Sequence, residues 1–269
     1  MNELNQLEGS DAPDGTSGVA SEVTTAQVLA EVERRRAERQ AVRREPPGRA
    51  IMIVERFVFW FSKHWLAILN IFFLLYVGLP ILAPVLMHLG AEGPARILYT
   101  IYRPLCHQLP QRSFFLFGPQ STYTVSELIE RSVQDVGLGM AARAFVGNAE
   151  IGYKTGLCQR DVAIYGVILL AGLLYGLLRI VRKIAPLPWW AYVGVGVVPM
   201  LLDGGYQFVS YVAALFWPNG PISPHETTPA MRVITGSLFG LATVWLSYPI
   251  VQETMDEVRE TQKRRFGWK

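Results

Sequence analysis

The chain has two cysteines, and each opens a short block of reactive side chains. The first block runs Cys106-His107-Gln108-Leu109-Pro110-Gln111-Arg112-Ser113-Phe114 and the second Cys158-Gln159-Arg160-Asp161-Val162-Ala163-Ile164-Tyr165. Thiol, imidazole, guanidinium and carboxylate are the groups that ligate metals, exchange disulfides and grip anions. Both blocks adjoin long apolar segments, so they are candidates for one polar site at the mouth of a membrane helix bundle. No catalytic residue is assigned. The sequence has no phosphate-binding glycine loop, no ordered Ser/His/Asp arrangement and no haem-attachment signature.

The elements that must position these blocks follow from composition. Hydrophobic residues make up 51% of the chain and charged residues 17%, with the apolar residues gathered in long runs. That pattern predicts an all-α polytopic membrane protein. With about 20 apolar residues needed per crossing, spans are expected over 66–89, 162–180, 190–216 and 233–251, forming a four-helix transmembrane bundle. A soluble helical protein would need polar faces on these helices, yet Leu66–Leu89 carries only Asn70 and His88 as strongly polar side chains.

Charge bias orients the bundle. Arg49, Arg56 and Lys63 precede the first span, Arg179, Arg182 and Lys183 follow the second, and Arg259, Lys263, Arg264 and Arg265 follow the fourth, whereas Trp217–Met231 has no Lys or Arg. Both termini are therefore expected in the cytoplasm of a multi-pass cell-membrane protein. The basic residues of the long extracytoplasmic loop 90–161 do not overturn this, because that loop exceeds the roughly 60 residues within which loop charge directs topology. Trp189, Trp190, Trp217 and Trp245 suit interfacial belts.

The domain plan is a cytoplasmic tail over 1–50, a membrane domain over 51–253 and a basic cytoplasmic tail over 254–269. Met1–Glu22 reads as disordered, Ala26–Arg44 as a charged helix stopped by Pro46-Pro47-Gly48, and Ile51–Trp65 as an interfacial helix leading into the first span. No secretory signal is read, and the first span is taken as a retained anchor. The expected partners are the lipid bilayer and, as candidates, an anionic lipid or another membrane protein, with no nucleic acid.

Inside the membrane the outstanding residue is Asp203, in Pro199-Met200-Leu201-Leu202-Asp203-Gly204-Gly205-Tyr206-Gln207. An ionised carboxylate facing lipid costs on the order of 3 kcal/mol, so Asp203 is expected to face the bundle interior, with Gln207 on the same face one turn later. Pro199 and the glycine pair predict a kinked or broken helix beside it. Arg232 is the charge partner suggested by sequence. The depth is unfavourable, because Asp203 lies about 21 Å along a helix from Trp189 while Arg232 starts the fourth span. Arg112 and Arg160 can grip a phosphate or carboxylate, or can pair with Asp161, Glu150 or headgroups. Lys154 and Asn148 could join the same cluster. Gly172-x-x-x-Gly176 and Gly236-x-x-x-Gly240 suit close packing within the bundle, and Val125–Val136 reads as a short amphipathic surface helix.

The first block with Gly118, Cys158-x-Arg160 with Ile164-Tyr165-Gly166, Asp203-Gly204-Gly205-x-Gln207 and Arg232-x-x-Thr235-Gly236 together resemble a prokaryotic integral membrane family, domain of unknown function 2085. The resemblance spans roughly Tyr99 to Tyr248 and implies fold and membrane location rather than a reaction. Family members often carry a second cysteine three residues after the first in the later block, where this chain has Asp161. In the fuller pattern three thiols and a histidine resemble a zinc-type set. Here the four donors are Cys106, His107, Cys158 and Asp161, with a harder oxygen ligand.

Three readings of the cysteines stand side by side. They form a disulfide on an oxidising outer face, they bind a divalent metal with His107 or His225 and Asp161, or they are free thiols. The functional expectation is an outward-facing Cys/His/Arg/Asp site with a binding, transport or assembly role, built around Arg112, Arg160, Asp203, Gln207 and Arg232. The alternative is a small membrane oxidoreductase or metal-binding enzyme acting on a lipid-soluble substrate.

Overall fold

A computed structural model describes residues 25–44, 48–131, 133, 140–217 and 220–268. It divides into two compact units, Met1–Val54 and Glu55–Lys269. In the first, α1 (Thr25–Arg44) is built from strong helix formers. Glu31 pairs with Arg34 at 2.9 Å and with Arg35 at 2.8 Å, one turn on. The tail expected over Met1–Glu22, the Pro46-Pro47 stop and Val136 of the expected surface helix lie outside the described residues.

The rest is mostly helical. Among the described residues, three helices are long and apolar enough to cross a membrane: α2 (Arg49–His88), α6 (Gln159–Val181) and α10 (Pro229–Phe266). α6 and α10 each contain an expected span, and α2 covers the span expected over 66–89 up to His88. α2 runs without interruption through the segment expected as a separate interfacial helix, and α10 continues well past the expected end of its span. The remaining expected span, 190–216, is helical but not uniform. It consists of α7 (Trp189–Ala191), a π segment (Tyr192–Val197), α8 (Val198–Met200), a second π segment (Leu201–Gly205) and α9 (Tyr206–Phe216). The cause is local: Pro199 has no N–H to donate one turn back, and wide turns sit on either side of the short α segment that holds it.

Small residues let the helices approach. A Cβ on Gly240 would lie 2.5 Å from the Ile164 carbonyl oxygen, and one on Gly236 would lie 2.9 Å from that of Arg160. Gly236-x-x-x-Gly240 is thus the seat of α6 on α10. Gly172 gives room to Asn70 and Tyr248, and Gly196 to Ala242. Trp65, Leu66, Ile164, Ile168, Tyr175, Val244 and Tyr248 form the core between α2, α6 and α10, while Leu74, Leu170, Leu177 and Phe208 stay exposed. Outward apolar faces over a small-residue interior are what lipid-facing helices require.

The segment after α2 contains α3 (Glu92–Tyr102), α4 (Val125–Glu130) and α5 (Met140–Ala144). It also contains a sheet that the helical reading did not anticipate, in the order β1 (Ser113–Leu116), β3 (Gly152–Cys158), β2 (Gly147–Asn148). Both pairings are antiparallel. β3 is buried at most positions on both faces, so it lacks the alternation by which strands are read from sequence. Gly152, at φ +85, makes the turn into it. Phe115, Tyr123, Leu128, Val133 and Ile151 close a second small core. α4 opens with a capping box between Thr124 and Glu127. β3 ends at Cys158, which is itself the N-cap of α6.

Candidate functional site

The two cysteine blocks meet because β1 and β3 pair. Ser113 stands opposite Cys158 in the ladder, which draws the turn before β1 against the start of α6. The Cys158 backbone N–H donates to Cys106 Sγ at 3.3 Å. The ligand atoms of Cys106, Cys158 and Asp161 all lie within 4.8 Å of one another, and both cysteines are free thiols. Cys158 and Asp161 come together because a cap and the third residue of a helix both face its entry. The Cys158 side chain holds the Cys106 thiol below its ordinary range, and the same partnership together with burial pushes Cys158 well up. His107 is exposed and is not among the three clustered donors. His225 packs its ring against Tyr206 at 5.1 Å.

Lys154 lies beneath this turn and is fully buried. Its Nζ donates to the carbonyls of Gln108 at 2.5 Å and Arg143 at 3.0 Å, and burial pushes its ammonium down to about 7. The lysine thereby fixes the backbone beside Cys106 in place, with Gln108 in a left-handed conformation at φ 52. Gln108 also donates to the carbonyls of Tyr99 and Gly156. Asn148 does different work: its Oδ1 accepts the N–H groups of Glu150 and Ile151 and shapes the β2–β3 turn.

A network of guanidiniums and carboxylates adjoins the thiols. Arg160 pairs with Asp203, which also accepts from Thr235 Oγ1 at 3.2 Å. Gly204 makes this approach possible, since a Cβ there would sit 2.4 Å from Arg160 Nη1. The Asp203 side chain is 6% exposed, turned inward as its insertion cost demands. Arg232 pairs instead with Glu226 and donates to the Gln111 carbonyl and to Gln159 Oε1, each at 3.2 Å. The Asp203-to-Arg232 distance problem is thus resolved by a different partner for each.

Glu226 is the residue the sequence reading missed. Its carboxylate accepts from Arg112 Nε at 3.1 Å and Nη2 at 2.7 Å, from Gln207 Nε2 and Tyr211 OH at 2.5 Å each, and from Arg232. Burial pushes this carboxyl up. The bonds from Arg112 and Tyr211 and the charges of Arg112 and Arg232 more than offset that, leaving it below the usual carboxylate range. The signal was available: Glu226 is the only acid in Trp217–Met231, a loop without Lys or Arg.

Arg112, Arg160, Gln207 and Arg232 share the wall of one cavity of about 310 Å³ with Cys106, His107, Cys158 and Asp161. Asp203 and Glu226 hold the arginines from behind. Two thiols and a carboxylate around one space can ligate a metal ion, with the deprotonated sulfurs balancing its charge, and the three guanidiniums can hold an anionic group beside it.

Comparison with known proteins agrees with the membrane character of this fold. The family described as "Predicted membrane protein (DUF2085)" matches residues 142–246, which include the second cysteine block, Asp203, Glu226 and Arg232. A protein of Methanocaldococcus jannaschii, called "Uncharacterized protein MJ1492", is 25% identical over 198 residues, covering 71% of this chain and 95% of its own length. No solved structure matches.

Proposed function

From that likeness to a membrane family, we propose that the chain is a four-span membrane protein, with both termini cytoplasmic, that binds a divalent transition-metal ion in an outward-facing cavity. Its protein ligands are Cys106, Cys158 and Asp161. The third span in chain order is the composite helix 189–216, whose wide turns keep its backbone hydrogen-bonded, as a bilayer requires. The observation that carries the reading is the convergence of three donor atoms within 4.8 Å of one another on the wall of a cavity. Three protein ligands leave a coordination position for water or an incoming ligand, the pattern of an open rather than a closed site. Two sulfurs favour a soft or borderline ion such as zinc over magnesium or calcium.

Charge balance supports the same reading. Arg112, Arg160 and Arg232 stand with Asp161 on the cavity wall, and Asp203 and Glu226 pair with these arginines. A divalent ion that displaces both thiol protons brings in two charges and releases two. The balance of a site whose charges are expensive to bury is therefore the same with and without metal.

The test is elemental analysis of protein purified without chelator, followed by cobalt substitution. About one metal per chain is expected, with the thiolate-to-cobalt absorption that accompanies two sulfur ligands. Both are lost in Cys106→Ser and Cys158→Ser variants that remain monodisperse in detergent. A chain without stoichiometric metal, or an intact mass showing a Cys106–Cys158 disulfide, overturns the proposal. The disulfide result would favour the thiol-exchange alternative.

A further inference from the structure

The opposite end of the bundle carries a second site, built on residues the metal site does not use. Arg179, Arg182, Lys183, Arg259 and Arg264 line a cavity of about 770 Å³ between the ends of α6 and α10, together with Glu253, Asp256, Glu257 and Glu260. Several of these charges already have partners. Lys183 meets Glu253 at 3.4 Å, Arg259 meets Asp256, and Arg179 donates to Gln252 Oε1 at 2.5 Å. Five basic residues face four acidic ones, and one of those acids, Glu260, also meets Lys263 at 3.6 Å, so basic charge is in excess here. Arg182 and Arg264 are exposed.

A groove of different character adjoins it. Ala171, Leu174, Leu178, Leu241, Val244 and Trp245 line an apolar furrow of about 280 Å³ between α6 and α10. Tyr175, Arg182 and Ile184 border both spaces. Leu174, Leu241 and Trp245 are exposed along it. The two spaces therefore share a border, one charged where α6 ends and the other apolar further along the helices. Trp245 lines the furrow only: its Nε1 donates to the Ala185 carbonyl at 3.2 Å, while its ring lies on the furrow. An indole with one wet edge and one apolar face belongs at the headgroup boundary.

We propose that this is a binding site for one anionic phospholipid, its phosphodiester held by Arg182 and Arg264 and an acyl chain lying in the furrow between α6 and α10. A phosphodiester carries a single negative charge, which the basic excess of the pocket can take up. Guanidiniums suit its oxygens because they offer paired donors. A free phosphate would use the pocket and leave the furrow bare, whereas a phospholipid fills both. Basic pockets between membrane helices on the cytoplasmic side are suited to such headgroups.

Native mass spectrometry of the full chain, released from nanodiscs of phosphatidylcholine with and without phosphatidylglycerol, tests the proposal. The expected result is retention of one phosphatidylglycerol in preference to phosphatidylcholine. Arg182→Gln and Arg264→Gln should each lower that preference by about fivefold, the equivalent of about 1 kcal/mol per basic residue. Ala171→Trp, which fills the furrow and leaves the charges in place, should lower retention of both lipids. Equal retention of the two lipids by the wild-type chain overturns the proposal. So does an unchanged preference in the double arginine variant, or complete displacement of the lipid by inorganic phosphate, which would show that the furrow contributes nothing. Metal content of the same samples is expected to stay constant, so failure here is distinguishable from failure at the cysteine site.

Discussion

Glu226 receives Arg112 through two nitrogens, Nε at 3.1 Å and Nη2 at 2.7 Å, across 114 residues of sequence. This bidentate pair joins the first cysteine block to the loop before α10. The same carboxylate takes Arg232, a side chain 3% exposed, so it is the common acceptor of two guanidiniums.

Glu226→Gln should therefore destabilise the protein more than an ordinary surface change does. It leaves the buried Arg232 without its counter-charge, at a cost of about 3 kcal/mol. Thermal melts of detergent-purified protein read the loss as a clear drop in midpoint. A midpoint equal to wild type would mean that water or Gln111 and Gln159 suffice for Arg232.

Acid should act through the same group. Because the folded carboxyl lies below its ordinary value, the unfolded chain binds more protons as pH falls, and stability falls with it. The contribution is complete above the usual carboxylate range of about 4.3 and disappears as pH drops through the folded value. Melts from pH 7 down to pH 3 should show this slope in the wild type and a shallower one in Glu226→Gln. Parallel slopes in the two proteins would remove Glu226 from the account.

Gly240→Val tests the seat of α6 on α10. Its Cβ would meet the Ile164 carbonyl oxygen at 2.5 Å, a backbone atom that cannot swing aside, and overpacking of this kind costs about 1–3 kcal/mol or more. Gly78, where nothing lies within 4 Å, serves as control, and Gly78→Ala should be near neutral. Size-exclusion profiles after graded heating separate them. Equal survival of the two variants would count against the close approach.

Topology is testable with single cysteines in a Cys106→Ser/Cys158→Ser background. A membrane-impermeant maleimide should label Gln120→Cys and Ile222→Cys in intact cells, and Lys183→Cys only after permeabilisation. Labelling of positions 183 and 222 from the same side would mean that 189–216 does not cross the bilayer.

The apolar elements were legible in the sequence because each is close to or beyond the length of a crossing with at most one acidic or basic side chain inside it, so composition alone locates them. The sheet was not. Lys154 at the centre of β3 is a charged residue in a fully buried position, and only the carbonyls of Gln108 and Arg143 make that tolerable. Neither is adjacent to it in sequence. In the candidate site the residue types were readable and the pairings were not. Asp203 and Arg232 are the obvious opposite charges within neighbouring spans, yet each takes a partner from elsewhere: Arg160 beside the second cysteine, and Glu226 in a loop. His107 shows the converse, since adjacency to Cys106 in sequence did not place it among the clustered donors.

The two wide turns around Pro199 have an effect on direction as well as on hydrogen bonding. Each delays the winding of the helix by about one residue, roughly 100° of rotation, so the stretch before Asp203 and the stretch after Gly205 are out of step with a single regular spiral. One rod thereby addresses two neighbours at nearly the same height: Asp203 is aimed at Arg160 on α6, while Gln207 and Tyr211 are aimed at Glu226. Straightening the second turn, Leu201–Gly205, into regular α-helix would rotate Gln207 and Tyr211 relative to the stretch before Asp203 and take one set off its partner. The angular offset is therefore itself a structural requirement, set beside a proline that forms neither ion pair.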